Sequence, residues 1–281
     1  MISKKMALGF AMLLSVGCSN ELSTKTTSEQ VTHTGIVNGT KSDPSSSTSL
    51  STVALTSYRS FTESGELRQW QDLLCTGFIV SEDIIVTATH CVADINRETV
   101  AEKSFRVKFG TNMYSFDGNN PLVGVEDFVV HPSFSLLPLQ SDESRTITTL
   151  NDIAVVKLKT KIPAPFRPVA IIDNDLRIPD NTNILLAGWG RTNQDLGLSS
   201  SDLYETTVKL QGYWATHLLM NQLNGNGACP GDSGGPAFIF DQDGSPIAVG
   251  VTRGPLQPYP KCDYWLLYTS PSPRDLSTSR M

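Results

Sequence analysis

Ser233 stands in "GNGACPGDSGGPAF", Gly225 to Phe238, among five glycines, two prolines, a cysteine and an adjacent aspartate. A serine hydroxyl is a weak nucleophile until a neighbouring base takes its proton, and that base works best when a carboxylate fixes its tautomer and orientation. A reactive serine therefore needs one histidine and one aspartate, and the chain holds four histidines. His33 lies in a Ser/Thr-rich segment, His217 in a polar one, and His131 in "VVHPSF", where it ends a strand-like run. His90 lies in "IVTATHCV" directly before Cys91, which follows Cys75 by sixteen positions. A disulfide there would clamp the histidine's loop against a neighbouring strand, a constraint worth roughly 3 kcal/mol for a loop of about fifteen residues.

Such groups act only where a fold holds them. The chain has 281 residues, 39% hydrophobic and 18% charged, enough for one or two domains with a substantial core. A net charge of -6 leaves no basic stripe to neutralise phosphates, which excludes a nucleic-acid partner. Short apolar runs, "IIVTA", "FRVKF", "DFVVH", "IAVVKL", "NILLAGW", "PAFIF" and "IAVGV", alternate with Gly, Pro, Asn, Asp and Ser. Many short strands between turn signals predict an all-β sandwich or barrel. Helical periodicity is scarce; its best candidate spans Trp214 to Leu223.

"CTGFIV", "TATHC", "HPSF", "NDIAVVKL", "AGWG" and "GDSGGP", in that order, resemble the trypsin/chymotrypsin family of serine peptidases over Ile36 to about Trp265. The resemblance implies two antiparallel Greek-key β-barrels with a cleft between them, and hydrolysis of peptide bonds through an acyl-enzyme. It assigns His90 as general base, Asp152 of "LNDIAVV" as its orienting carboxylate and Ser233 as nucleophile. Taken alone, Asp152 reads as a turn residue ahead of a buried strand, and the glycines as a hairpin. With the oxyanion held by the N–H groups of Gly231 and Ser233, glycine lets the main chain approach closely. "GIVNGT" resembles the start of a mature enzyme, so Ile36 becomes a free terminus that pairs with Asp232. Cys229 is expected to pair with Cys262 and Cys75 with Cys91.

The departures concern specificity. The family's pocket floor falls at Gly227, which supplies no countercharge for Lys or Arg, so a small or apolar side chain is expected before the scissile bond. In "VGVTRG", the resemblance puts Thr252, Arg253 and Gly254 on the family's cleft strand. Thr252 is expected to turn its hydroxyl toward Asp152. Arg253 either sets a cation beside the substrate, favouring acidic residues, or faces water. No cofactor is implied, and none of the four remaining cysteines has metal-ligand spacing. The other reading of the same fold is a catalytically idle binding module.

Both ends read differently from the middle. Residues 1–18, with Lys4, Lys5 and an apolar run, form an export signal too short to span a membrane. "LSVGC" resembles a bacterial lipobox ending at Cys18, the odd cysteine of five; ordinary signal cleavage is the alternative to lipidation. Residues 19–35 lack core-forming side chains and read as a tether or propeptide. The expected protein is an exported monomer, secreted or held as a periplasmic or outer-membrane lipoprotein, acting on protein or peptide substrates after cleavage by another protease. Four paired cysteines fit an oxidising compartment. From Leu266 to Met281 the chain resembles translated sequencing-adapter read-through, and Pro271 and Pro273 interrupt any strand or helix. Exposed coil is expected there, whether the segment is foreign or a native disordered tail.

Overall fold

The computed structural model describes residues 36–92, 105–139, 146–173, 176–191, 200–214, 216–223, 225–255, 262 and 266–269. The expected export signal (1–18) and tether (19–35), together with residues 270–281, lie outside the described residues.

The first half contributes β1 (Thr40–Lys41), β2 (Thr52–Glu63), β3 (Glu66–Ile79), β4 (Ile84–Thr87), β5 (Phe105–Lys108), β6 (Leu122–Val130), β7 (Ser135–Leu139), β8 (Thr146–Leu150) and β9 (Ala154–Leu158). The second contributes β10 (Ala170–Ile171), β11 (Asn183–Gly188), β12 (Tyr204–Trp214), β13 (His217–Asn221), β14 (Pro236–Phe240), β15 (Pro246–Pro255) and β16 (Leu266–Thr269). All seven apolar runs of the sequence supply strands. Their β-branched side chains suit a pleated, half-buried surface.

Strands β2-β3-β4-β9-β6-β5 close a barrel. The second follows β12-β11-β14-β15-β16-β13, and β13 pairs back onto β12, so that ladder also returns on itself. The fold is the expected all-β double barrel. Among the described residues, no helix is long and apolar enough to cross a membrane.

Period-two burial sets the registers. Along β12, Thr206, Val208 and Leu210 are buried while Thr207 and Lys209 face water, so a one-residue slip would expose the apolar set. Val53, Phe78, Ile85, Val107 and Val156 fill the first barrel, and Ile184, Leu186, Val208, Leu218 and Met220 the second. Phe78 and Phe238 meet edge to face at 6.5 Å between the barrels. That contact belongs to a continuous apolar layer running from Phe78 to Ala248 and Val251, and it fixes the cleft lips relative to each other.

Two expectations are corrected. The helix candidate Trp214 to Leu223 is a hairpin instead, the end of β12 turning into β13 with Trp214 opposite His217. Its apolar side chains find more partners across the ladder than a short isolated helix could offer. The coil expected from Leu266 is not what its first four residues form: Leu266–Thr269 are β16, between β13 and β15, with Thr252 opposite Tyr268. Without that strand both neighbours would keep an unpaired edge.

Candidate active site

His90 sits in a single turn of 3-10 helix, Thr89–Cys91, directly after β4. Two anchors hold the turn: Thr89 Oγ1 donates to Ile153 O at 2.7 Å, and the disulfide Cys91–Cys75 ties it to β3. Asp152 lies between β8 and β9, next to Asn151, whose φ of +53° is left-handed. Asn tolerates that conformation at little cost, and the kink turns the Asp152 side chain inward.

The Asp152 carboxylate is fully buried. Its Oδ1 accepts the His90 backbone N–H at 2.9 Å and its Oδ2 meets His90 Nδ1 at 2.7 Å. Thr149 Oγ1 donates to the same Oδ2 at 2.9 Å. Burial alone would raise this carboxyl; the hydrogen bonds and charge of His90, with the Thr149 hydroxyl, outweigh it and hold it below the usual carboxylate range. An ionised carboxylate only accepts, so Nδ1 carries a proton, and in the neutral imidazole Nε2 is the nitrogen left with a lone pair.

Ser233 lies in the turn before β14, where Thr76 N–H donates to Ser233 O at 2.8 Å. Its hydroxyl donates to Arg253 O at 3.2 Å rather than to the imidazole. Glycine is required on both sides of it. Gly231 has φ +106°, and a Cβ there would stand 2.8 Å from Gly190 Cα. Gly234 has φ +81°, and its Cβ would meet Thr76 O at 2.3 Å. Among the described residues, neither the Gly231 nor the Ser233 N–H donates to a protein acceptor.

Asp232 is buried and accepts N–H from Gly190 at 2.7 Å and from Cys229 at 2.8 Å. Burial, only partly offset by those donors, pushes its carboxyl up to about 7. Ile36 is buried in the second barrel with Ala228 and Ala237, and the adjacent Val37 pairs with Gly227 in both directions, at 2.9 and 3.2 Å. In this uncut chain the Ile36 nitrogen is an amide, and the described hydrogen bonds to Asp232 come from Gly190 and Cys229. Cys229 is bonded to Cys262, so both disulfides follow the expected pairing. The Sγ atoms of Cys75 and Cys91 lie close to His90, but as a disulfide they offer no thiolate to a metal.

Of the two expectations for Arg253, facing water is not met. The guanidinium folds inward, its side chain 14% exposed, with Nε donating to Thr149 Oγ1 at 2.9 Å and lying 4.0 Å from Asp152 Oδ2. Thr252 is buried and bonds Gly234 and Gly235 through its backbone; the hydroxyl on Asp152 comes from Thr149. Gly254 faces Leu267 of β16 across the ladder. Thr149 stands three residues before Asp152, at the end of β8, and the tight turn between them brings its hydroxyl onto the carboxylate. His217 is buried and stacks on Trp214 at 5.6 Å, and among the described residues neither ring nitrogen makes a hydrogen bond of good geometry. Burial, with the nearby Arg253 charge, holds its imidazole below the ordinary value against the opposing pull of Thr149, Trp214 and Asp152.

Two antiparallel barrels, with a histidine–aspartate pair on one and a glycine-flanked serine on the other, define the chymotrypsin-like class of architecture. The trypsin family profile matches residues 27–259, and the chain belongs to that family. It is 28% identical to a trypsin of Phaedon cochleariae over 60% of this chain and 65% of that one. It is 27% identical to a vitellin-degrading protease of Bombyx mori, over 58% and 61%, and 26% identical to chymotrypsin-like elastase family member 1 of Bos taurus, over 63% and 66%. The chain thus spans just under two thirds of the length of these relatives.

Proposed function

We propose that this protein is a serine endopeptidase in which His90, Asp152 and Ser233 form the catalytic triad. The observation that carries the reading is the buried Asp152 carboxylate receiving both the N–H and the Nδ1–H of His90, which leaves Nε2 as a base beside the serine turn. The Ser233 hydroxyl rotates from Arg253 O to Nε2, loses its proton there and bonds to the substrate carbonyl carbon. The N–H groups of Gly231 and Ser233 receive the oxyanion, each such donor being worth about 3 to 4 kcal/mol. His90 then hands the proton to the leaving amine, and water releases the acyl group by the reverse path. The side chain before the scissile bond enters between Gly227–Cys229 and Thr252–Gly254.

Cleavage after Gly35 would free Ile36 as an ammonium for Asp232, whose raised carboxyl has no countercharge among the described residues. Gly35 is not a basic residue, so a protease of different specificity supplies the cut. With Cys18 as a bacterial-type lipid anchor, the same cut detaches the enzyme from the membrane, so release and activation coincide in an exported, monomeric, zymogen-derived protease. N-terminal sequencing of membrane and soluble fractions, with activity in each, tests this. Full activity in protein still joined to Cys18 ends the coupling.

The enzymatic reading is tested with a serine-directed organophosphonate and peptide substrates. Label is expected at Ser233, and Ser233→Ala or His90→Ala is expected to lower kcat about a millionfold without loss of fold. A processed protein that takes no label favours an idle binding module instead.

A further inference from the structure

Gly227 has no side chain, yet the space above its Cα is filled. A Cβ there would stand 2.1 Å from Gln222 Cδ, 2.2 Å from Oε1 and 2.4 Å from Nε2. Gln222, just past the end of β13, is fully buried. Its Oε1 accepts the Ala228 N–H at 2.9 Å, and its Nε2 donates to Cys262 O at 2.7 Å and, at 3.5 Å, to Ala228 O. Ala228 precedes Cys229, and Cys229 is bonded to Cys262 with their Cα atoms 5.1 Å apart. The carboxamide therefore bridges the two chain segments that this disulfide joins.

We infer that the Gln222 carboxamide, reaching in from a neighbouring element, is the floor of the primary specificity pocket and restricts the residue before the scissile bond to small, uncharged side chains. The inference rests on the peptidase reading above, which puts that pocket beside Gly227. Three physical consequences follow from an amide in this place. It carries no charge, so a lysine or arginine head would be buried without a countercharge. Its oxygen and nitrogen are already committed to Ala228 and Cys262, so it welcomes a polar substrate head less than an uncommitted group would. It occupies the volume a floor side chain would take, so an aromatic ring must displace a hydrogen-bonded group and not an empty void.

The test uses the full-length chain, as purified and after limited proteolysis, with peptide amides that differ only at the residue before the scissile bond: Ala, Val, Phe and Arg. Rates are normalised to the fraction of Ser233 labelled by phosphonate. Expected is a kcat/KM for Ala or Val at least about tenfold above that for Phe and Arg, the discrimination typical of a methylene-scale pocket difference. Gln222→Ala should shift the Phe-to-Ala ratio upward by about tenfold or more, and Gln222→Glu should raise the Arg-to-Ala ratio similarly. Gln222→Met, which keeps the length and removes the hydrogen bonds, covers the case in which the shorter variant does not fold; it should keep Phe disfavoured. A labelled, active wild type that prefers Phe or Arg overturns the inference alone, as does an unchanged ranking in the Ala and Glu variants. If no substrate is cut and Ser233 takes no label, the peptidase reading fails and this inference falls with it.

Discussion

Arg253 places Nε 4.0 Å from the Asp152 oxygen that His90 Nδ1 also uses. The two are further joined through Thr149, whose hydroxyl accepts from Arg253 and donates to Asp152. A cation from the second barrel is thus latched to the carboxylate of the first.

That latch is measurable as a coupling. Arg253→Met and Thr149→Val, made singly and together, should each lower stability, with an interaction energy of about 0.5 to 3 kcal/mol between them. Additive losses in urea unfolding would show that the contact contributes nothing as a unit.

Asp232 makes the uncut chain sensitive to pH. Its folded carboxyl is raised from 3.8 to about 7, so between those values the folded chain holds a proton that the unfolded chain has released. The stability this proton confers is complete below the unfolded value and is lost as pH rises through about 7, a loss on the order of 4 kcal/mol. Asp232→Asn in the uncut chain should therefore be more stable than wild type at pH 8 and lose that advantage toward pH 4. An equal difference at both pH values would show that Asp232 is not held protonated.

His217 acts with the opposite sign. Its imidazole is held below 6.5 when folded, so as pH falls the unfolded chain takes the proton first. The stability of the neutral ring is present above that value and is lost below it. His217→Phe keeps the stack on Trp214 and removes two buried nitrogens that make no well-formed hydrogen bond among the described residues, so it should stabilise the chain by about 1 kcal/mol or more at pH 5 and less at pH 8. Urea midpoints that shift equally at the two pH values would contradict this.

The C-terminal boundary can be tested by truncation. Ending the chain at Thr269 keeps every described strand and should leave Tm within about 3 °C of the full chain. Ending it at Trp265 removes β16 and opens the second ring between β13 and β15, which should cost about 10 °C or more, or split the unfolding into two steps. Equal melting of the two truncations would mean that β16 contributes nothing to closure.

The order of short apolar runs and turn residues determined the all-β class, because period-two burial is a local property that each run carries by itself. The even set of cysteines after Cys18 pairs as the family pattern implies, and motif order alone marks His90, Asp152 and Ser233. Nothing local, however, could tell that Trp214 to Leu223 would turn as a hairpin. A short mixed run takes its period from its neighbours, and here β12 and β16 offered ladders. Leu266 to Thr269 became a strand for the same reason, against the signal of the prolines beyond it. Arg253 folded inward onto Thr149, His217 buried beside it and Gln222 under Gly227 were decided only by tertiary structure. Each depends on how the surrounding chain folds over one space, and a linear chain does not reveal which residue will fill the room that a glycine leaves.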